Sequence, residues 1–467
     1  MNHFKRLIAS DRSFYKRVLL MTTPIALQSL ITIGVNMLDT IMVGSIGETE
    51  LSATSLANQF ISIYQIFCMG LGMGASVLVS RYWGMKSKES EPEKATDALR
   101  KTVCIMIRLT VGLALVFAVA TLLMPNIIMR MYTSDAMIIA LGATYFKYSV
   151  VTYFFLGLSL VCTIVLRSVG QVKLPLLVSI GAFFVNLGAN YILIFGKFGL
   201  PRMEIAGAAL GTLIARVFET AVICGYLLLR DQKIGFRLKH LGMKTRDLLG
   251  EYIKISIPVL ISDGILAIGN NTVAMVIGRL GRNFVAANAI TSVTQQMSTV
   301  LTQGAAQAGA IVTSQTIGEG NRDKAQTQGY AFLGLGMILG LFSALVILLI
   351  STPIISAYRV SVRTASVAEQ LMNAISIIMI FQATNSLMTK GVLRGGGDTK
   401  MLMLTDNIFL WVVSIPLGML AGLVLHWPAF WIYTCLKFDQ IVKAVWCVFR
   451  LRSSKWIKKI STGKVNH

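Results

Sequence analysis

Apolar stretches of about twenty residues or more follow one another along the whole 467-residue chain, each long enough to cross a bilayer core of roughly 30 Å. In hydrocarbon every backbone N–H and C=O must be satisfied inside the segment, so continuous apolar runs of this length are read as helices. With 55% hydrophobic and 14% charged residues and a mean hydropathy of +0.68, the chain lacks the polar surface of a soluble domain. Twelve spans are expected, near residues 18–44, 52–80, 102–124, 137–163, 172–195, 205–229, 250–278, 285–314, 327–351, 366–391, 401–424 and 427–448. The fold class expected is an all-α integral membrane protein.

The formal net charge of +22 invites a nucleic-acid reading, but the distribution of the charge argues against it. If the N-terminus is cytoplasmic, the segments on that side hold 32 Lys and Arg against 7 in the opposite loops. That asymmetry is the positive-inside rule, which needs no acidic partner. It predicts a multi-pass membrane protein with both termini in the cytoplasm, and no nucleic acid bound. Six cysteines (Cys68, Cys104, Cys162, Cys224, Cys435, Cys447) are scattered through apolar segments without metal or disulfide spacing. The four histidines (His3, His240, His426, His467) fall in loops or tails, and there is no phosphate loop, HExxH or nucleophile elbow. No enzyme activity and no cofactor are expected.

An internal repeat organises the spans. At an offset of 234, Pro24 falls on Pro258, Gly44 on Gly278, Gly47 on Gly281, Gly70 on Gly304, Ser80 on Ser314 and Gly84 on Gly318. Proline and glycine mark special backbone geometry, so one shared register argues for two copies of one fold. A second echo, at 227, relates Leu166-Arg167-Ser-Val-Gly170-Gln-Val-Lys173 to Leu393-Arg394-Gly-Gly-Gly397-Asp-Thr-Lys400. An even number of helices per copy makes the repeat parallel, about an axis along the membrane normal. The division expected is a six-helix lobe over 1–229, a linker over 230–247, a second six-helix lobe over 248–450 and a basic tail over 451–467.

Polar groups inside the spans are the candidates for function, because a carboxylate there costs about 2.5–3.5 kcal/mol on insertion scales and usually faces a watery cavity. Asp39 lies little more than a turn before Gly44, and Asp263 follows Pro258 by five residues; they do not superpose, since Asp39 maps onto Val273. Asn186 and Asn190 are one turn apart and share a helix face. Asn270, Asn271 and Gln296 offer polar groups to a substrate cavity, as does Asp406, unless that acid only complements a helix start. Arg216 and Glu219, three apart, are expected to pair. Twenty-three Met and 22 Phe supply soft, repackable surface, as a cavity for varied ligands needs and as helix packing needs too.

The residues then resemble a known family. Pro24-Ile-Ala…Asp39-Thr-Ile-Met-Val-Gly44, Arg167-Ser-Val-Gly170-Gln, Asn186-Leu-Gly-Ala-Asn190, Gly207-Ala-Ala-Leu-Gly-Thr212, Leu393-Arg394-Gly-Gly-Gly397-Asp398 and the tail to Trp456 are similar, in order and spacing, to the multidrug and toxic compound extrusion (MATE) transporters. The resemblance covers about residues 15 to 460. It implies export of lipophilic cationic drugs or toxins, coupled to proton or sodium entry, by rocking of two six-helix lobes in a protein that works as a monomer. It implies a coupling-ion role for Asp39, and for Asp263 where many bacterial relatives have Glu, with Asn186, Asn190 and Thr212 orienting Asp39 or completing an oxygen cage. Where this chain has Asn190, the family's best-developed coupling site has an acid. The alternative reading is a flippase or exporter of a lipid-linked or metabolite substrate, on a related fourteen-helix plan.

Overall fold

A computed structural model describes residues 11–86, 92–358 and 360–458; His3, Lys5, Lys88, Arg359 and the tail from 459, with Lys464 and His467, lie outside the described residues. Every element is helical, with no strand among the described residues. In chain order they are α1 (Arg12–Gly44), α2 (Glu48–Lys86), α3 (Pro92–Leu123), α4 (Pro125–Arg130), α5 (Ala136–Ser149), α6 (Thr152–Ser168), α7 (Lys173–Phe195) and α8 (Glu204–Arg230). Then come α9 (Arg246–Arg279), α10 (Arg282–Gly318), α11 (Arg322–Ala357), α12 (Val362–Leu393), α13 (Thr399–Val424), α14 (Ala429–Leu436) and α15 (Phe438–Arg452).

Among the described residues, nine of these helices are long and apolar enough to cross a membrane, and α5 with α6, bent by 60° at their junction, makes a tenth. The other two expected spans are helical but fall short for visible reasons. α10 is rich in Thr, Ser and Gln; Thr291 and Thr294 return their hydroxyls to the carbonyls of Ala287 and Ile290 (3.0 and 3.1 Å), which satisfies polar groups within the helix. The last is broken at Lys437 into α14 and α15, where the Asp439 backbone N–H donates to Ser414 Oγ (2.6 Å). All twelve stretches are thus helical, consistent with the twelve-helix plan.

The helices form two compact units. One takes the chain up to Ala26, a short piece starting at Gly84, and the chain from Ile261 onward; the other takes Leu27–Trp83 and Glu91–Leu260. Two of the crossings come two residues after a repeat proline, Pro24 inside α1 and Pro258 inside α9. Proline has no N–H to give to the helical ladder, so these are the points at which each helix is most easily redirected.

Within each unit the repeated residues make matching contacts. Gly70 backs onto Leu260, where an added Cβ would stand 3.0 Å from the Leu260 Cα; Gly304 backs onto Thr22 and Ala26, 2.8 Å from the Thr22 carbonyl. Ser80 Oγ donates to Ser168 O (3.2 Å), and Ser314 Oγ to Gly395 O (2.8 Å). Close backbone approach, with no room for a side chain, is what fixes glycine at these two positions. The six cysteines are unbridged.

Candidate functional site

In the unit containing Leu27–Trp83, half-buried Asp39 on α1 meets α7. Asn190 Nδ2 donates to Asp39 Oδ1 (2.6 Å) and lies 3.2 Å from Asn186 Oδ1, both asparagines being buried. Two acceptors on one nitrogen fix the amide's orientation, since the flipped form would set oxygen against oxygen. Asn190 Oδ1 is then left without a hydrogen-bond partner, pressed against Gly211 of α8, where any side chain would overlap it. The buried Tyr145 hydroxyl donates to Asn58 Oδ1 (3.3 Å). Arg216 pairs with Glu219 (2.7 Å), as their spacing predicts, and its charge also reaches Asp39. No cationic group lies within 4 Å of Asp39 among the described residues. The structure therefore gathers Asp39, Asn186 and Asn190 into one hydrogen-bonded cluster, and Thr212 directly follows Gly211, which packs on Asn190.

In the other unit, Asp263 sits differently. Its Oδ1 lies 3.5 Å from Nη2 of Arg394, whose side chain is buried while that of Asp263 is 25% exposed. Arg394, at the turn after α12, thus ion-pairs the candidate acid on α9. Asp406 is the eighth residue of α13, so it is no helix-start acid, and Asp398 stands at that start instead. Asp406 is buried 3.6 Å from Lys443 Nζ, and the same nitrogen is 2.9 Å from Asp439. Asp439 also accepts from Ser414 Oγ (3.0 Å) and Gln440 Nε2 (2.7 Å). Burial of a carboxylate is tolerable with this many partners.

Asn270, Asn271 and Gln296 have exposed side chains that make no hydrogen bond among the described residues, and nothing joins them to Asp263. Sequence reasoning missed Lys443 and Asp439, although Asp439-Gln-Ile-Val-Lys443 carries the i, i+4 spacing of an acid–base pair on an otherwise apolar helix face.

The family model described as MatE matches residues 24–192 and 258–420, one block per repeat. The multidrug resistance protein NorM of Burkholderia vietnamiensis is 27% identical over 426 residues, covering 88% of this chain and 86% of that one. An uncharacterized transporter of Bacillus subtilis, YisQ, is 22% identical over 94% of both. Among solved structures, an outward-facing multidrug resistance MATE transporter superposes with a TM-score of 0.83 at 18% identity, covering 94% of this chain and 96% of that one. A Pyrococcus furiosus transporter of the MOP superfamily superposes at 0.82 and 18%, covering 96% and 98%. With two matched blocks spanning well over half of its length, the chain belongs to the multidrug and toxic compound extrusion (MatE) family of membrane transporters.

Proposed function

We propose that this chain is a secondary active multidrug exporter of the plasma membrane that exchanges a proton or a sodium ion for a lipophilic cation by alternating access. The observation that carries the reading is Asp39, a carboxylate in an apolar helix held by an amide alone. Such a group has capacity for one more positive charge. The Asp39 carboxylate with the side-chain oxygens of Asn186 and Thr212, oriented by the Asn190 amide, is a donor set for a proton or a small hard cation. Binding there drives export only if it favours one arrangement of the lobes and the organic cation favours the other.

Asp263 is the second site of the proposal, and an ion arriving there competes with Arg394. Exposed Asn270, Asn271 and Gln296 are proposed as polar points on the substrate path, and Asp406, behind Lys443, as charge at its back. The names of the NorM relatives support a multidrug substrate range, and the basic loops support cytoplasmic termini. A monomer suffices, as each lobe carries its own candidate acid.

The test is dye efflux from proteoliposomes, with proton and sodium gradients imposed separately, for wild type and Asp39→Asn. Efflux driven by one gradient and lost in the variant is expected. Efflux of lipophilic cations that follows neither gradient would overturn antiport, and the absence of any such efflux from folded protein would favour a lipid-linked or metabolite substrate.

A further inference from the structure

We infer that residues 450–458 are a positioning element for the candidate ion site of their unit: they hold the 394–398 turn where Arg394 reaches Asp263. Its role in transport rests on the function proposed above; the geometry does not.

The turn closes on itself through Gly397 N–H to Arg394 O (2.9 Å) and Asp398 N–H to Leu393 O (3.2 Å). Gly395, Gly396 and Gly397 follow one another, and Gly397 has a φ of 86°. Three glycines in a row have the least intrinsic preference for any one conformation, so neighbours add to the order these bonds supply. One side is supplied by α10: added Cβ atoms on Gly391 and Gly395 would stand 2.9 and 2.6 Å from the carbonyls of Ala306 and Ala310.

The other side is supplied by the chain's last described stretch. Trp456 is 0% exposed, and its ring lies so close over Gly396 that any side chain there would overlap it. Its Nε1 donates to Gln326 Oε1 (2.9 Å), and Gln326 Nε2 donates to Leu451 O (2.7 Å), tying the indole to α11 and α15. The Lys458 backbone N–H donates to Gly396 O (3.0 Å). Buried Asp398, at the far end of the turn, is held by Arg450 Nε (2.6 Å) and Lys458 Nζ (3.4 Å). The turn is thus gripped at Gly395, Gly396 and Asp398, and Arg394 is the residue from which a charged side chain leaves it toward Asp263.

The other repeat has its own version of the grip. Its turn at Val169–Gln171 is met by the stretch after α8: Lys233 Nζ donates to Val169 O (3.0 Å) and Gln171 Nε2 to Asp231 Oδ1 (3.0 Å), while Ile234 is fully buried. Arg230-Asp-Gln-Lys233-Ile234 aligns with Arg452-Ser-Ser-Lys455-Trp456 at an offset of 222. Linker and tail are therefore equivalent closing pieces of the repeat.

The test uses full-length protein and a hydrophobic carbodiimide, which converts an accessible carboxyl group to a stable N-acylurea located by mass spectrometry. A carboxylate held by a guanidinium is shielded from the reagent. Labelling of Asp263 is expected to rise at least about threefold in Arg394→Gln and in Trp456→Ala, to stay near wild type in Trp456→Phe, and in the double variant to match Arg394→Gln, as effects through one contact do not add. Unchanged labelling in folded Trp456→Ala, or additive labelling in the double variant, would overturn the inference. Should Trp456→Ala fail to reach the membrane, Lys458→Met loosens the same grip from a half-exposed position, and unchanged labelling there overturns it equally. In efflux, Trp456→Ala is expected to shift the ion dependence in the direction of Arg394→Gln. Labelling in the expected order, with efflux that ignores both gradients, would uphold the positioning and remove the antiport reading.

Discussion

The two units share a backbone and differ in how they hold charge. In one, Arg167 reaches Gln28, four residues after Pro24; in the other, Arg394, 227 residues on, reaches Asp263, five residues after Pro258. The same arginine position meets an amide in the first case and an acid in the second. Among the described residues, the unit from Ile261 onward has its buried acids already matched by cations, Asp406 and Asp439 by Lys443 and Asp398 by Arg450, and its partly exposed Asp263 by Arg394. Asp39, in the other unit, is held by an amide. The number of acids in a lobe is therefore a poor guide to its capacity for a coupling ion. What counts is whether an arriving ion must first displace a built-in one.

The largest expected effect comes from breaking the matched set. Lys443→Met leaves two carboxylates buried without their cation, and the loss should be about 3–5 kcal/mol, read as a fall in the thermal midpoint of purified protein. Adding Asp439→Asn should return part of it by removing one stranded charge. If Asp39→Asn were to cost as much as Lys443→Met, the contrast between the units would be wrong. A matched pair of substitutions sharpens the comparison from the other side. Gly70→Leu and Gly304→Leu force a side chain into equivalent close contacts, so each should cost about 1–3 kcal/mol and the two should agree within error. A large inequality would show that the repeat register is not a shared packing requirement.

Much of this was legible because it rests on local chemistry. The twelve helical stretches follow from apolar runs that admit no other backbone arrangement in lipid, and the register of Gly70 and Gly304 showed in the sequence because close approach leaves no alternative residue. Asn186 and Asn190 were assigned to one face from their spacing, and the structure adds that the face meets Asp39. The Arg394–Asp263 pair was not legible, since its members are 131 positions apart and no periodicity relates them. Lys443 and Asp439 were legible in spacing but lost among the basic residues near the end of the chain. Trp456 read as part of a tail because a short segment rich in Lys and Arg gives no sign of being buried; its partner surface, Gly396, is assembled only by the fold.

The smallest effects on stability should come from the Asp39 cluster, and there the comparison is most exposed. Asn190→Ala removes one membrane hydrogen bond to Asp39, worth about 0.6–2 kcal/mol, and thermal midpoints should place it well below Lys443→Met. Asp39→Asn should cost less still, within about 0.5 kcal/mol, because the new amide still offers a carbonyl oxygen to Asn190 Nδ2 and strands no counter-charge. Its effect on transport should be the reverse of small. An amide cannot take up a proton or hold a cation as a carboxylate does, so gradient-driven efflux should disappear from a protein as stable as wild type. In the other unit stability and function cannot be separated so simply at Asp263, since removing that acid strands the buried Arg394. A variant that is stable and still driven by the gradient would mean that the ion enters by displacing Arg394 from Asp263, and that the amide-held acid is a spectator.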